Sequence, residues 1–202
     1  MRKTLSVVLA AAALFGGAAI SNGAANAYDY GTEYYNVDLC EGKRYDDYHH
    51  VDFKLCHISG KLPFNLGAHG IYAFVTGVAD NVTDVTIPES LGGHDVIQIG
   101  GEIAQDGNPM MVLGAERLEY LKIEAHESGV EGFKGTPVTV SENAFNGASN
   151  LKDVNLSGKL VIGKNAFNNC WTNIWKHDIT GKKKYIFVKE YEGAFATDNV
   201  ND

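Results

Sequence analysis

The stretch that decides the fold is Asn155-Leu-Ser-Gly-Lys-Leu-Val-Ile-Gly-Lys-Asn-Ala-Phe-Asn-Asn-Cys170, because its parts recur along the chain. Residues 142–147 read Glu-Asn-Ala-Phe-Asn-Gly, and residues 164–169 read Lys-Asn-Ala-Phe-Asn-Asn. The phenylalanines of these two segments are 22 positions apart (167 minus 145), and a third Ala-Phe pair ends 28 positions later (195 minus 167). The spacing predicts a structural unit that repeats along the chain.

A strand-like pattern, L-x-x-L-x-L, accompanies the Ala-Phe pairs. It occurs at residues 82–87, 118–123 and 151–156, with a weaker copy at 174–179. Its alternation of apolar and polar residues is the spacing of a strand with one buried face. One strand and one turn cannot bury their own apolar face, whereas stacked copies cover each other. The pattern therefore predicts a solenoid whose coils share one core.

The predicted core has two parts. The first consists of the inward strand positions, and the second is a stack of phenylalanines on the opposite side of each coil. The core positions are Leu121, Ile123, Val154, Leu156, Phe145, Phe167 and Phe195.

The chain resembles the BspA-like class of leucine-rich repeats, whose pattern has the form I-P-x-x-V-x-x-I-G-x-x-A-F-x-x-C-x-x-L. The resemblance covers about residues 71–195, and Cys170 matches the cysteine of the pattern. The first copy departs from it, since Ile103-Ala104 stands where Ala-Phe is expected. The resemblance implies a β-rich leucine-rich-repeat solenoid, of α/β class at most. It would have short irregular coils, a parallel sheet on one face and a non-repeat N-terminal cap.

The first 27 residues have the pattern of a signal peptide. Arg2 and Lys3 precede an apolar run, and Ala25-Asn26-Ala27 provides a small-x-small cleavage site. The run is shorter than the roughly 20 residues of a spanning helix. We therefore expect cleavage near Ala27 and export, to a secreted, periplasmic or cell-surface location, without stable membrane insertion. The expected organisation is a signal peptide at 1–27, a cap at 28–70 and a solenoid at 71–202.

The negative net charge and the absence of catalytic motifs argue against several classes of function. The formal net charge of −8 disfavours nucleic acid and anionic membranes as partners. The sequence contains no G-x-S-x-G, H-E-x-x-H, P-loop or dinucleotide-binding glycine pattern. We therefore expect neither an enzyme nor a cofactor.

The segment before the repeats is rich in tyrosine and acidic residues. It is interpreted either as a cap over the open end of the solenoid or as an aromatic surface for sugar or protein. Asp46, Asp47, His49, His50 and His57 have side chains that suit zinc, but their spacing matches no defined site, so no metal is predicted.

In an exported chain, two of the three cysteines can form a disulfide. Cys40 and Cys56 would close a short loop, although sequence alone does not fix the connectivity. Cys170 is then expected to be an unpaired, buried and unreactive thiol.

The outward strand positions form the candidate binding face, since neighbouring coils place them in rows about 4.8 Å apart. They are Asp84, Thr86, Tyr120, Lys122, Glu124, Asp153, Asn155, Ser157, Lys176 and Asp178. An ordinary solvated sheet face is the alternative interpretation.

The resemblance implies a secreted or cell-surface protein that acts in protein–protein interaction or adhesion, including host interaction. Its partner would be a protein or glycan of a cell surface or host matrix. The alternative function is a small secreted carbohydrate- or metal-binding module that uses residues 28–66.

Overall fold

A computed structural model of the chain describes residues 35–62, 66–101, 111–125, 136–170, 173–175, 188–190, 194–195 and 200–201. The export signal expected at residues 1–27 lies outside these ranges. Within them the chain is strand-rich with almost no helix, and the helical segment is a single short 3-10 turn, Ala115–Arg117. The strands are β1 Tyr35–Cys40, β2 Arg44–Asp46, β3 Val51–Leu62, β4 Leu66–Val78, β5 Asp84–Ile87, β6 Ser90–Leu91, β7 His94–Ile99, β8 Tyr120–Glu124, β9 Val138–Val140, β10 Asp153–Ser157, β11 Leu160–Ile162, β12 Asn173–Trp175, β13 Val188–Glu190 and β14 Val200–Asn201.

The first four strands pair in antiparallel fashion. β3 lies between β1 and β4, and β2 also pairs with β3. In β3, Val51, Phe53 and Leu55 are buried, whereas the intervening Asp52 and Lys54 are partly exposed. This alternation is the period of a strand with one face against a core. The antiparallel strands thus form a sheet, and one face of that sheet packs against the main core.

The later strands pair in parallel and lie in two sheets. In one, β4 continues into β7, β9, β11 and β13, with β6 antiparallel to β7. The other has the order β14-β12-β10-β8-β5, and every pair in it is parallel. From β7 onward, consecutive strands alternate between the two sheets.

The Ala-Phe pairs occupy the turns that join the sheets. Asn143 and Asn165 precede two of the pairs and have φ of 59° and 54°. Asparagine adopts this left-handed conformation more readily than most residues. The turns also bond to one another, since the Phe145 N–H donates to the Ala166 carbonyl at 2.7 Å. The repeat is therefore hydrogen-bonded in its turns as well as in its strands.

Two apolar clusters fill the interior. The main cluster takes side chains from both sheets, including Ile123 of β8 and Val140 of β9. A smaller cluster lies on the other face of β3 and β4 and contains Ile58 and Phe74. There the buried Tyr35 hydroxyl donates a hydrogen bond to the Gln98 side-chain carbonyl. The second cluster thus joins β1 to β7, the strand that pairs in parallel with β4.

Two features of the sheets can be compared with the expectations from the sequence. The parallel sheet expected on one face is present as β14-β12-β10-β8-β5, and β9 and β11 form a second parallel ladder, because their short apolar runs are themselves paired strands. A boundary between residues 70 and 71 was expected, but β4 runs unbroken from Leu66 to Val78 and pairs with strands on both sides. The N-terminal segment is thus continuous with the sheet that follows it.

Candidate binding surface

The exposed surface of the all-parallel sheet is set by the register of β5, β8 and β10. Val85, Leu121 and Val154 occupy one row of this register and are buried. Ile87, Ile123 and Leu156 occupy a second buried row. Because side chains alternate across a strand, the positions directly before each of these buried residues face away from the core. We call these six outward residues the ladder face: Asp84, Tyr120 and Asp153 in one row, and Thr86, Lys122 and Asn155 in the other.

The ladder face lines a shallow cavity of about 300 Å³. All six of its residues contribute, together with Val85 and Leu121. Tyr120 lies on the middle strand and is 44% exposed. The structure therefore brings together six of the ten outward positions named from the sequence, around one tyrosine ring.

The lysines of this surface each have an acidic neighbour. Lys122 pairs with Glu124 of the same strand, and Lys152 pairs with Glu119. The Lys152 Nζ also lies 5.8 Å from the centre of the Tyr120 ring, within reach of a cation–π attraction. The hydrogen bond to Glu119 raises the pKa of Lys152. Both lysines are thus paired with a glutamate.

Asn155, one of the residues that line the cavity, has a buried acceptor atom. Its Oδ1 atom is shielded from solvent and has no hydrogen-bond partner in the part of the chain that the structure describes. Buried carbonyl oxygens in proteins nearly always accept a hydrogen bond, and an unmade one costs about 1–3 kcal/mol.

The remaining outward positions do not join this cavity. The expectation that Ser157 is exposed was wrong: it is buried, and its hydroxyl donates to the Ile123 carbonyl at 3.1 Å. The physical reason is the turn at Gly158, which packs directly against Ala125, the residue that follows β8. Glu124 is engaged by Lys122. Lys176 and Asp178 lie outside the described residues.

Sequence reasoning missed two residues of this surface, Glu119 and Lys152. They occupy the same position of the L-x-x-L-x-L pattern in two successive copies, 33 residues apart. Opposite charges at equivalent positions of a repeat predict an ion pair between neighbouring coils. That signal was present in the sequence.

The predicted core residues are placed as follows. Leu121, Ile123, Val154 and Leu156 are buried. The ring of Phe167 stacks on Phe145 at 5.1 Å and on Phe195 at 5.7 Å, with the planes 6° and 7° from parallel. Phe195 is only partly buried at the end of this stack.

The cysteines differ in accessibility. Cys40 of β1 and the buried Cys56 of β3 are register partners and form a disulfide. Cys170 is a free, buried thiol that donates a hydrogen bond to the Phe145 carbonyl at 3.0 Å. Burial raises the pKa of Cys170 to about 11. It is therefore a poor nucleophile at neutral pH.

The five candidate metal ligands of the N-terminal segment are not brought together. His49 bonds to Asp46, whereas His57 lies seven residues into β3 and bonds to Asp38. Burial opposes the effect, but the hydrogen bonds from His49 lower the pKa of Asp46. Within the described ranges no three histidine, cysteine or acidic side chains are arranged to hold a metal ion.

The tyrosines of the N-terminal segment are divided between core and surface. Tyr35 is buried, whereas Tyr45 is 46% and Tyr48 86% exposed near the turn between β2 and β3. Tyr28, Tyr30 and Tyr34 lie outside the described residues.

Comparisons with known proteins identify no relative. No family model, curated protein or solved structure matches the chain. Among the described residues, no helix has the length and apolar character needed to cross a membrane.

Proposed function

We propose that the chain is an exported, non-enzymatic binding protein built as a BspA-like leucine-rich-repeat solenoid, and that it binds a protein through the ladder face. The partner class is a protein of a cell surface or host matrix, so the role is interaction or adhesion. The observation that carries the proposal is the in-register cavity around Tyr120.

The solenoid part of the proposal is supported by the order of the strands. β7 to β14 alternate between two sheets, and each sheet pairs them in parallel. The Ala-Phe turns stack ring on ring and bond through their backbones. A chain that repeats one coil in this way buries an apolar face that no single coil could bury.

The binding part is supported by the chemistry of the ladder face. Protein-binding surfaces are enriched in tyrosine, which brings a large apolar area with a polar tip. Tyr120 is exposed at the centre, with acceptor groups on both sides. An extended partner laid across parallel rungs would meet side chains at a regular spacing of about 4.8 Å.

The test places a photo-crosslinking amino acid at position 120 of the mature protein. A matched control carries it at Glu142, an exposed position in the turn between β9 and β10. Both proteins are exposed to host-matrix and microbial-surface extracts, and crosslinked partners are identified by mass spectrometry. We expect a defined partner from position 120 alone, and its loss when Thr86→Tyr fills the cavity. Equal crosslinking from both positions would contradict the proposal.

A second candidate is glycan binding by the N-terminal segment, favoured by the 86% exposure of Tyr48 beside Tyr45. Deleting residues 28–66 would not test this candidate, because β3 contributes Phe53 and Leu55 to the main core. The double substitution Tyr45→Ala and Tyr48→Ala leaves that core intact. Glycan-array signals that disappear with it, while Thr86→Tyr has no effect, would favour this second candidate.

A further inference from the structure

Asn146 and Gly147 form an asparagine–glycine pair in the turn between β9 and β10. Such a pair is chemically labile, because glycine has no side chain that would hinder its nitrogen from attacking the preceding side-chain amide. Asn146 is partly exposed and Gly147 is exposed, so water reaches both. Among the described residues no other asparagine precedes a glycine. Within those ranges, Asn146 is therefore the asparagine most open to attack by its own main chain.

The next Ala-Phe turn, between β11 and β12, holds both reacting groups. The Gly147 N–H donates a hydrogen bond to the Asn168 carbonyl at 2.8 Å. The Asn146 Oδ1 accepts one from the Asn169 Nδ2 at 3.0 Å. Within its own turn, the Asn146 Nδ2 donates to the Asn143 Oδ1 at 3.1 Å. While these bonds last, the glycine nitrogen keeps its proton and the asparagine amide cannot rotate toward it.

We propose that Asn146 is a self-modification site, which the stacking of the Ala-Phe turns keeps closed and which deamidates when the turns separate. The chain is its own substrate, and water is the co-reactant. The Gly147 nitrogen forms a bond to the Asn146 Cγ, and the Cγ–Nδ2 bond breaks. The side-chain nitrogen leaves as ammonia and takes the proton of the Gly147 N–H, so a five-membered imide ring remains.

Water then opens the imide ring at one of its two C–N bonds. Hydrolysis at Cγ gives aspartate, whereas hydrolysis at the main-chain carbonyl carbon of residue 146 gives isoaspartate. In isoaspartate the main chain runs through the former side chain. It is therefore one carbon longer, and no reverse step restores the asparagine.

The isoaspartate product cannot restore the contacts of its turn. The N–H groups of Phe145 and Gly147 donate to the carbonyls of Ala166 and Asn168, which have the same spacing of two residues. A longer main chain between the two donors moves them out of register with the two acceptors. Phe145 is fully buried, so the mismatch falls at the edge of the core. Each conversion should therefore weaken the stacking of the turns, and the site limits the lifetime of the folded chain.

The experiment compares two rates in the folded protein and in a urea-unfolded sample at mildly alkaline pH. Mass spectrometry of digests follows the appearance of aspartate and isoaspartate at position 146, and hydrogen exchange follows the Gly147 N–H. Folding should slow the conversion at least about tenfold. It should slow the exchange by the same factor within about threefold, because both reactions start from separated turns.

Variants test whether the neighbouring turn closes the site. Asn169→Ala removes one of the bonds to Asn146 and leaves the buried phenylalanines in place. Conversion and Gly147 exchange should both rise about threefold or more in this variant. Asn36→Ala, at an exposed position of β1, is the matched control and should change neither rate. Gly147→Ala should slow conversion even in urea, because its methyl group hinders the attack. Urea midpoints show that the variants remain folded.

The converted protein carries one additional negative charge and can be separated by anion exchange. Its Phe145 and Gly147 amides should exchange faster than those of unconverted protein, and its urea midpoint should be lower. Four outcomes would overturn the inference: equal conversion in folded and unfolded protein, slowing unrelated to Gly147 exchange, equal effects of Asn169→Ala and Asn36→Ala, or converted protein with unchanged exchange and midpoint.

Discussion

The antiparallel strands β1–β4 and the parallel strands β7–β14 are stabilised in different ways. The first group is joined by long-range pairs between unlike sequences and by the Cys40–Cys56 bond. The second group stacks near-copies of one unit, whose phenylalanines and turns contact their own counterparts. A repeat stabilises each copy through its neighbours, whereas a unique segment depends on individual contacts. The two regions should therefore respond differently to the loss of one element.

The largest expected effect is in the phenylalanine stack. Phe167 is fully buried between two other rings, so Phe167→Ala should lower the free energy of unfolding by about 4 kcal/mol. Phe195→Ala, at the partly buried end of the stack, should cost clearly less. Urea denaturation of the two variants and of the unsubstituted protein measures both. Equal losses of unfolding free energy would show that a ring in the middle of the stack stabilises the parallel strands no more than a ring at its end.

Removing the disulfide should have the next largest effect, and it should be local. The cysteines are 16 residues apart, a loop for which cross-linking contributes about 3 kcal/mol. Cys40→Ala with Cys56→Ala should lose roughly this amount. Hydrogen exchange should speed up in β1 and β3 and stay slow in β8 and β10, with reduced wild-type protein as the control. Uniform loss of protection would mean that both regions unfold as one unit.

A pair of glycines tests how closely the turn after β10 packs against the residue that follows β8. Gly158 and Gly147 have φ of 81° and 79°, but a Cβ at Gly158 would lie 2.1 Å from the Ala125 carbonyl oxygen. A Cβ at Gly147 would meet nothing within 4 Å. Both alanine variants carry the backbone strain of a positive φ, while Gly158→Ala adds a clash. It should be less stable than Gly147→Ala by about 2 kcal/mol in thermal unfolding, and equal stabilities would argue against tight stacking at this turn.

The smallest effect concerns reactivity rather than stability. With a pKa of about 11, Cys170 is protonated at pH 8 and forms its thiolate only as the pH rises toward that value. An ordinary thiol, with a pKa of about 8.5, is roughly 100-fold richer in thiolate at pH 8. Iodoacetamide should therefore modify native Cys170 at least that much more slowly than the urea-unfolded chain, as followed by mass spectrometry. Comparable rates would show that the thiol is accessible.

Part of the N-terminal sheet could have been predicted from the sequence. Val51-Asp-Phe-Lys-Leu55 alternates as a strand does, although the segment is interpreted from its sequence only as a cap or an aromatic surface. The alternation stops where Leu55 and Cys56 are both buried, because the two faces of β3 contact different apolar clusters. A pattern that assumes one buried face cannot represent such a strand.

The sequence by itself determined the strand character of the repeats and the positions of the phenylalanines, since both follow from local spacing. It also placed Tyr120, Lys122 and Asn155 on one face, because alternation is a property of a single strand. Only the tertiary structure decided which strands pair, that β9 and β11 form a second sheet, and that Ser157 is covered. Pairing depends on contacts between residues far apart in the chain, and local periodicity does not encode them. The cavity around Tyr120 was likewise decided by the tertiary structure alone, since its residues come from three separate strands.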